Sequence, residues 1–187
     1  PTGRLGLVEF REAIVTWMLG RFGTLLDAHA EVLPLLGSKD GLAHLPLALL
    51  EPGDWAIVPD PGYQAYAGAV TLAGGQVHRV PLRPENEFLI PLDQIPADVV
   101  AGAKLLYLNY PNNPSGASYT SEELQALADA ARRYRIILLS DEIYGELHFQ
   151  GRHESIARYY PAGTIISAGL RTWCGAGGWR LGTCSFP

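Results

Sequence analysis

Four short stretches of this 187-residue sequence carry residue types and spacings able to do chemistry. Gly37-Ser-Lys-Asp-Gly41 precedes a helical pattern. Free amides at a helix N-terminus, aided by the helix dipole, bind phosphate, although the same five residues also suit a plain glycine turn. Asn113 lies in Pro-Asn-Asn-Pro-Ser-Gly116 and offers an amide to a ligand, or merely shapes a turn. Asp141, in Ser-Asp-Glu-Ile-Tyr144, suits a helix N-cap. Arg180 closes Gly177-Gly-Trp-Arg180, which suits a tight turn with a surface arginine. Four independent turns explain each stretch singly but not their joint occurrence in this order.

The elements that must position these groups alternate between helical and strand patterns. Leu7 to Arg21 reads as an amphipathic helix with Phe10, Ile14, Trp17 and Met18 on one face, and Gly41 to Leu50 as a second helix. Trp55 to Val58 is a short strand leading to the turn Pro59-Asp-Pro-Gly62. Tyr63 to Ala73 is helical, Gln76 to Val80 a strand, and Lys104 to Leu108 a buried strand. Thr120 to Tyr134 is the clearest helix, with Thr120 as cap, Glu123 completing a capping box, and Leu124, Leu127, Ala128 and Ala131 facing inward. Ile136 to Leu139 has the continuous apolar character of a central parallel strand, and Thr164 to Ser167 and Leu181 to Phe186 read as further strands. This alternation predicts an α/β domain with a mainly parallel sheet flanked by helices. Apolar strands run directly into the polar clusters at Pro59–Tyr63, Asn109–Gly116 and Ser140–Tyr144. In open α/β sheets ligands bind beyond the carboxyl ends of the strands, so these clusters are expected to converge.

Composition narrows the classes. A hydrophobic content of 48% suffices for one domain with a core. The net charge of −5 and the lack of a basic run argue against a nucleic-acid partner. Leu45 to Leu50, the longest apolar run, holds Pro46 and is too short to span a bilayer. Cys174 and Cys184 have no metal-like spacing and read as thiols of a reducing compartment, in line with a cytoplasmic location. No metal is expected. The five histidines (His29, His44, His78, His148 and His153) show no ligand spacing and are assigned surface or helix roles. No Gly-x-Ser-x-Gly elbow supports a serine hydrolase, and no Walker loop supports a nucleotide phosphohydrolase. The chain opens on Pro1, its only methionine is Met18, and it closes on Pro187, which reads as an internal piece of a longer protein.

Taken together, Pro-Asp-Pro-Gly-Tyr63, Asn-Tyr-Pro-Asn-Asn-Pro-Ser-Gly116, Ser-Asp-Glu-Ile-Tyr144 and Gly-Gly-Trp-Arg-Leu-Gly182 resemble the aspartate aminotransferase-like, class I/II family of pyridoxal 5'-phosphate (PLP) enzymes of fold type I. The resemblance runs from about Leu7 to Phe186. It implies that residues 1–187 are the cofactor-binding large domain, incomplete, without the family's N-terminal arm and C-terminal small domain. It also implies transfer of an amino group between an amino acid and a 2-oxo acid, and a homodimer. By resemblance, Asp141 pairs with the pyridine nitrogen of the cofactor and keeps it protonated, because an opposite charge favours the charged form. Asn113 and Tyr144 donate to the ring's phenolic oxygen, Tyr63 stacks on the pyridine, the Ser38–Lys39 segment holds the phosphate through its amides, and Arg180 clamps it.

One position departs from the family. Its Schiff-base lysine stands eight residues before the phosphate arginine, and 180 − 8 = 172 is Thr172. The flanks, Gly169-Leu-Arg-Thr-Trp-Cys-Gly-Ala-Gly-Gly-Trp-Arg-Leu-Gly182, otherwise match a related pattern with Ser-Lys in place of Arg171-Thr172. Threonine has no amine, and a permanently protonated arginine is a poor imine former. The chain's other lysines are Lys39, in the phosphate segment, and Lys104, at the far end of a strand. An aminotransferase altered at one position, a catalytically inactive PLP-binding pseudoenzyme or degenerate copy, and a related PLP lyase or synthase are the readings this leaves. The substrate is not legible.

Overall fold

The computed structural model describes residues 5–187. Seven strands form one sheet in the order β1-β7-β6-β5-β4-β2-β3. They are β1 (Val32–Leu35), β2 (Trp55–Asp60), β3 (Gln76–Pro81), β4 (Ala103–Asn109), β5 (Ile137–Asp141), β6 (Thr164–Gly169) and β7 (Gly182–Ser185). The pairs β2–β3, β2–β4, β4–β5 and β5–β6 are parallel. β7 pairs antiparallel with both β6 and β1 and alone runs against the rest. Among the described residues five α-helices flank the sheet: α1 (Val8–Phe22), α2 (Ser38–Leu49), α3 (Gln64–Leu72), α4 (Ala97–Gly102) and α5 (Ser121–Tyr134). The expected mainly parallel α/β architecture is the one observed.

The two faces are filled by alternation along the strands. Leu106, Leu108 and Leu138 pack against Leu124, Leu127, Ala128 and Ala131 of α5. Their sequence neighbours Leu105, Tyr107 and Leu139 turn the other way, against Leu42 of α2 and Tyr66 and Val70 of α3. Both faces are therefore covered, which is why β4 and β5 read as unbroken apolar runs. α1 closes the α5 face near β6 through Ile14, Met18 and Phe22 against Ile166, and its Trp17 stacks parallel on Trp173 at 6.4 Å. On α5, Thr120 and Glu123 form the expected capping box, closed by a 2.7 Å bond from the Thr120 amide to the Glu123 carboxylate.

Some expectations need correction. β2 continues through Pro59 to Asp60, which pair with β3 alone because the register with β4 ends at Ile57, and a proline is tolerated where one side of a strand is unpaired. α2 starts at Ser38, three residues earlier than the pattern suggested. Pro46 sits within that helix and is buried, and that burial outweighs proline's poor helix propensity. β1 and α4 were not anticipated: β1 is four residues long and contains Pro34, and α4 is a six-residue helix. Both fall below the length at which periodicity is readable. His153 is not at the surface or on a helix. Its side chain is 1% exposed and its Nε2 lies 2.9 Å from Glu142 Oε2. No described helix is long and apolar enough to cross a membrane.

Candidate active site

The carboxyl ends of β4, β5 and β6 and the N-terminus of α2 enclose a pocket of about 200 Å³. All eight candidate residues line it: Ser38, Lys39, Tyr63, Asn113, Asp141, Tyr144, Thr172 and Arg180. Lys104, second residue of β4, lies at the opposite end of that strand and outside the pocket lining.

Asp141 ends β5 and is 4% exposed. It is therefore not a helix cap. Its Oδ2 accepts a 2.6 Å hydrogen bond from the Tyr66 hydroxyl, and its Oδ1 is buried without a partner among the described residues. Burial raises the carboxyl from 3.8 to about 6, against the lowering effect of the Tyr66 hydroxyl. Tyr66 is wholly buried and stacks on Tyr107 at 4.5 Å. Burial first, and the Asp141 charge second, push its own pKa well up, so it remains a donor. Tyr66, unlike Tyr63, was not among the residues expected at the site. The spacing of three would have put both on one side of α3's first turn.

The turns after β4 and β5 are tied together. Asn109 Nδ2 donates to the Asp141 carbonyl at 2.9 Å, and Asn109 Oδ1 accepts from the Asn113 amide at 2.9 Å. Asn113 Nδ2 then approaches the Tyr144 hydroxyl at 3.4 Å, so the two expected donors to a phenolic oxygen stand side by side. Asn109, which sequence reasoning also missed, is the buried peg that sets this spacing. Tyr63 caps α3, and Lys39 Nζ rests 5.7 Å above its ring.

The phosphate end is built from backbone. Ser38 begins α2 after Gly37, whose φ of 87° suits glycine, and a Cβ there would sit 2.9 Å from Arg180 Nη2. Arg180 reaches across the chain to donate to the Leu36 carbonyl at 3.2 Å, and its own φ is +51°, an uncommon conformation for a residue with a side chain. The turn Gly177–Trp179 therefore aims the guanidinium at the α2 N-terminus, where the first helix amides have no carbonyl a turn earlier to bond and only Asp40 donates within the turn, to the Gly37 carbonyl at 3.1 Å. A Cβ on Gly182 would overlap the backbone of Gly37 and Ser38, so β7 abuts the start of α2 directly.

Glu142 faces away from the pocket. It collects hydrogen bonds from Ser140 Oγ at 2.9 Å, Ser155 Oγ at 2.9 Å and Tyr110 Oη at 3.2 Å, and pairs with His153. This anchors the turn that carries Ile143 and Tyr144. Thr172 Oγ1 donates a 2.6 Å bond to the Ile143 carbonyl, so the position matched to the family's lysine holds a satisfied hydroxyl.

A parallel sheet whose strand ends converge on a helix-terminus anion cradle and a buried carboxylate defines the large domain of a fold type I, PLP-dependent transferase. Solved structures agree. The chain superposes with a TM-score of 0.93 on substrate-bound BacF from Bacillus subtilis, at 31% identity, over 97% of this chain and 47% of that one. It superposes with a TM-score of 0.92 on an aromatic aminotransferase from Pyrococcus horikoshii, at 34% identity, over 98% of this chain and 50% of that one. Residues 2–187 match the model of the family described as aminotransferase class I and II, and the chain belongs to that family. It is 44% identical over 166 residues to the LL-diaminopimelate aminotransferase of Desulforudis audaxviator, covering 89% of this chain and 41% of that protein. The chain thus spans less than half the length of that relative.

Proposed function

We propose that residues 1–187 form the cofactor-binding large domain of an aminotransferase that takes PLP in this pocket and moves an amino group between an amino acid and a 2-oxo acid. The observation that carries the reading is the buried carboxylate of Asp141, whose Oδ1 has no side-chain partner among the described residues, in the lining of a pocket that also takes in the start of α2 and Arg180. A protonated ring nitrogen would satisfy that oxygen, and a phosphate the amides and the guanidinium. When bound, the cofactor supplies an electron sink for the substrate's reacting carbon. Asp141 holds the ring-nitrogen proton, Asn113 and Tyr144 orient the ring from its phenolic side, Tyr63 covers its face, and Ser38, Lys39 and Arg180 fix the phosphate. A homodimer suits the exposed Leu36, Phe149 and Trp179, and a cytoplasmic location suits the free thiols. The names of the curated relatives make LL-diaminopimelate the first amino donor to test.

A second reading, a PLP-binding protein without turnover, is favoured by Thr172 and its satisfied hydrogen bond. The missing amine would otherwise move the proton at the reacting carbon, and loss of a positioned acid–base group lowers rates about 10²–10⁴-fold. The experiment is titration of the full-length protein with PLP, followed by borohydride reduction and peptide mapping. Reversible binding with no label at position 172, and turnover regained in Thr172→Lys, is the expected result. No binding at all would overturn the reading. Turnover by the threonine form at the lysine form's rate would overturn the assignment of the slot and turn attention to Lys39.

A further inference from the structure

We propose that the pocket, as Thr172 shapes it, prefers the amine form of its ligand, pyridoxamine 5'-phosphate, over the aldehyde form. The inference rests on the reading of this pocket as a PLP site. A threonine hydroxyl has one proton and two lone pairs. Here the proton is committed to the Ile143 carbonyl at 2.6 Å, and Thr172 also lines the pocket, so what it can present to a ligand is an acceptor. β-branching restricts its χ1, and turning the proton elsewhere would cost the Ile143 carbonyl its donor.

The two ligand forms share the ring and the phosphate and differ at one substituent. An amine or ammonium there is a donor and complements the hydroxyl's lone pairs. An aldehyde oxygen is an acceptor and meets another acceptor. The pocket's cations do not reverse this order. Arg180 serves the phosphate end, Lys39 lies on the Tyr63 ring, and Arg171, which also lines the pocket, is exposed on its open side, so water and salt screen its effect on either ligand. In a family site with lysine at this position, the aldehyde gains a covalent bond; the threonine leaves it no compensation.

The test is isothermal titration of the cofactor-free full-length protein, in an amine-free buffer at neutral pH, with pyridoxamine 5'-phosphate, with PLP and with inorganic phosphate. The expected result is roughly tenfold tighter binding of the amine, the scale of one hydrogen bond to a charged group. The advantage should persist in Thr172→Ser and vanish in Thr172→Val, which keeps the shape without the acceptor. Equal affinities, or a tighter aldehyde, would overturn the inference while leaving the site in place. An aldehyde held by a reducible bond to Lys39 would count as the second of these. If neither pyridine compound binds better than phosphate, the reading of the pocket fails and the inference with it. The comparison of the two ligands on the unaltered protein decides the matter even if a variant does not fold.

Discussion

Replacing Asp141 with asparagine should stabilise the cofactor-free protein above neutral pH and destabilise it in acid. The fold holds this carboxyl at about 6 rather than 3.8, chiefly by burial. A rise of about two pH units corresponds to about 3 kcal/mol of penalty on the ionised form. Because the folded pKa lies above the unfolded one, the stability tied to this group is complete below about pH 4 and is lost as pH climbs through about 6. Asparagine keeps an acceptor for the Tyr66 hydroxyl but puts an amide donor where Oδ1 has no partner, at a cost of about 1–2 kcal/mol. The net change is a gain of about 1–2 kcal/mol near pH 8 and a loss of similar size near pH 4. Each kcal/mol moves the melting temperature by about 2–4 °C in a chain of this size. Urea denaturation across this pH range reads the reversal directly, and PLP affinity should fall in the same variant because the partner of the ring nitrogen is gone. A variant equally destabilised at both ends of the range would refute the claim that Asp141 is a strained charge awaiting a cation.

Glu142→Ala should destabilise by about 3–5 kcal/mol, since it leaves His153 and three hydroxyls buried without their acceptor; Glu142→Gln should cost less, and denaturant midpoints rank the two. Gly37→Ala should weaken phosphate and PLP binding more than tenfold, because it sets a methyl group against Arg180 at a backbone angle that disfavours side chains; titration with inorganic phosphate checks this without any turnover. A disulfide-exchange reagent should modify one thiol per folded chain and two after unfolding, because Cys174 is exposed while Cys184 is buried with its pKa pushed up to about 12 by burial.

The long parallel strands and α5 were legible because each obeys a single rule over enough residues: a continuous apolar run for β4 and β5, a capped amphipathic pattern for α5. The convergence of the polar clusters on one pocket was legible because strand ends stop abruptly in them. What escaped were groups whose importance is set by distant partners. Tyr66 and Asn109 look like ordinary element residues until the fold brings Asp141 to them across 75 and 32 positions of sequence. His153 looked like a surface histidine because nothing local announces that Glu142, eleven positions earlier, waits in the interior. The start of α2 was placed late because Ser38 to Gly41 has no apolar periodicity of its own. What begins the helix there is a glycine turn.

The pairing of β1 with β7 also dictates an order of events during synthesis. β1 is made early, yet its ladder partner, residues 182–185, emerges some 150 residues later. Until then β1 has no neighbour, and the start of α2 lacks the backbone of Gly182 against it. Contacts so far apart in sequence form slowly, and unpaired strands on a growing chain invite association with other chains. β2 to β6 can assemble as a parallel sheet on the ribosome, whereas the anion cradle must wait for the antiparallel strand β7, which joins β1 to β6. The anion cradle is therefore the last part of this sheet to acquire its shape.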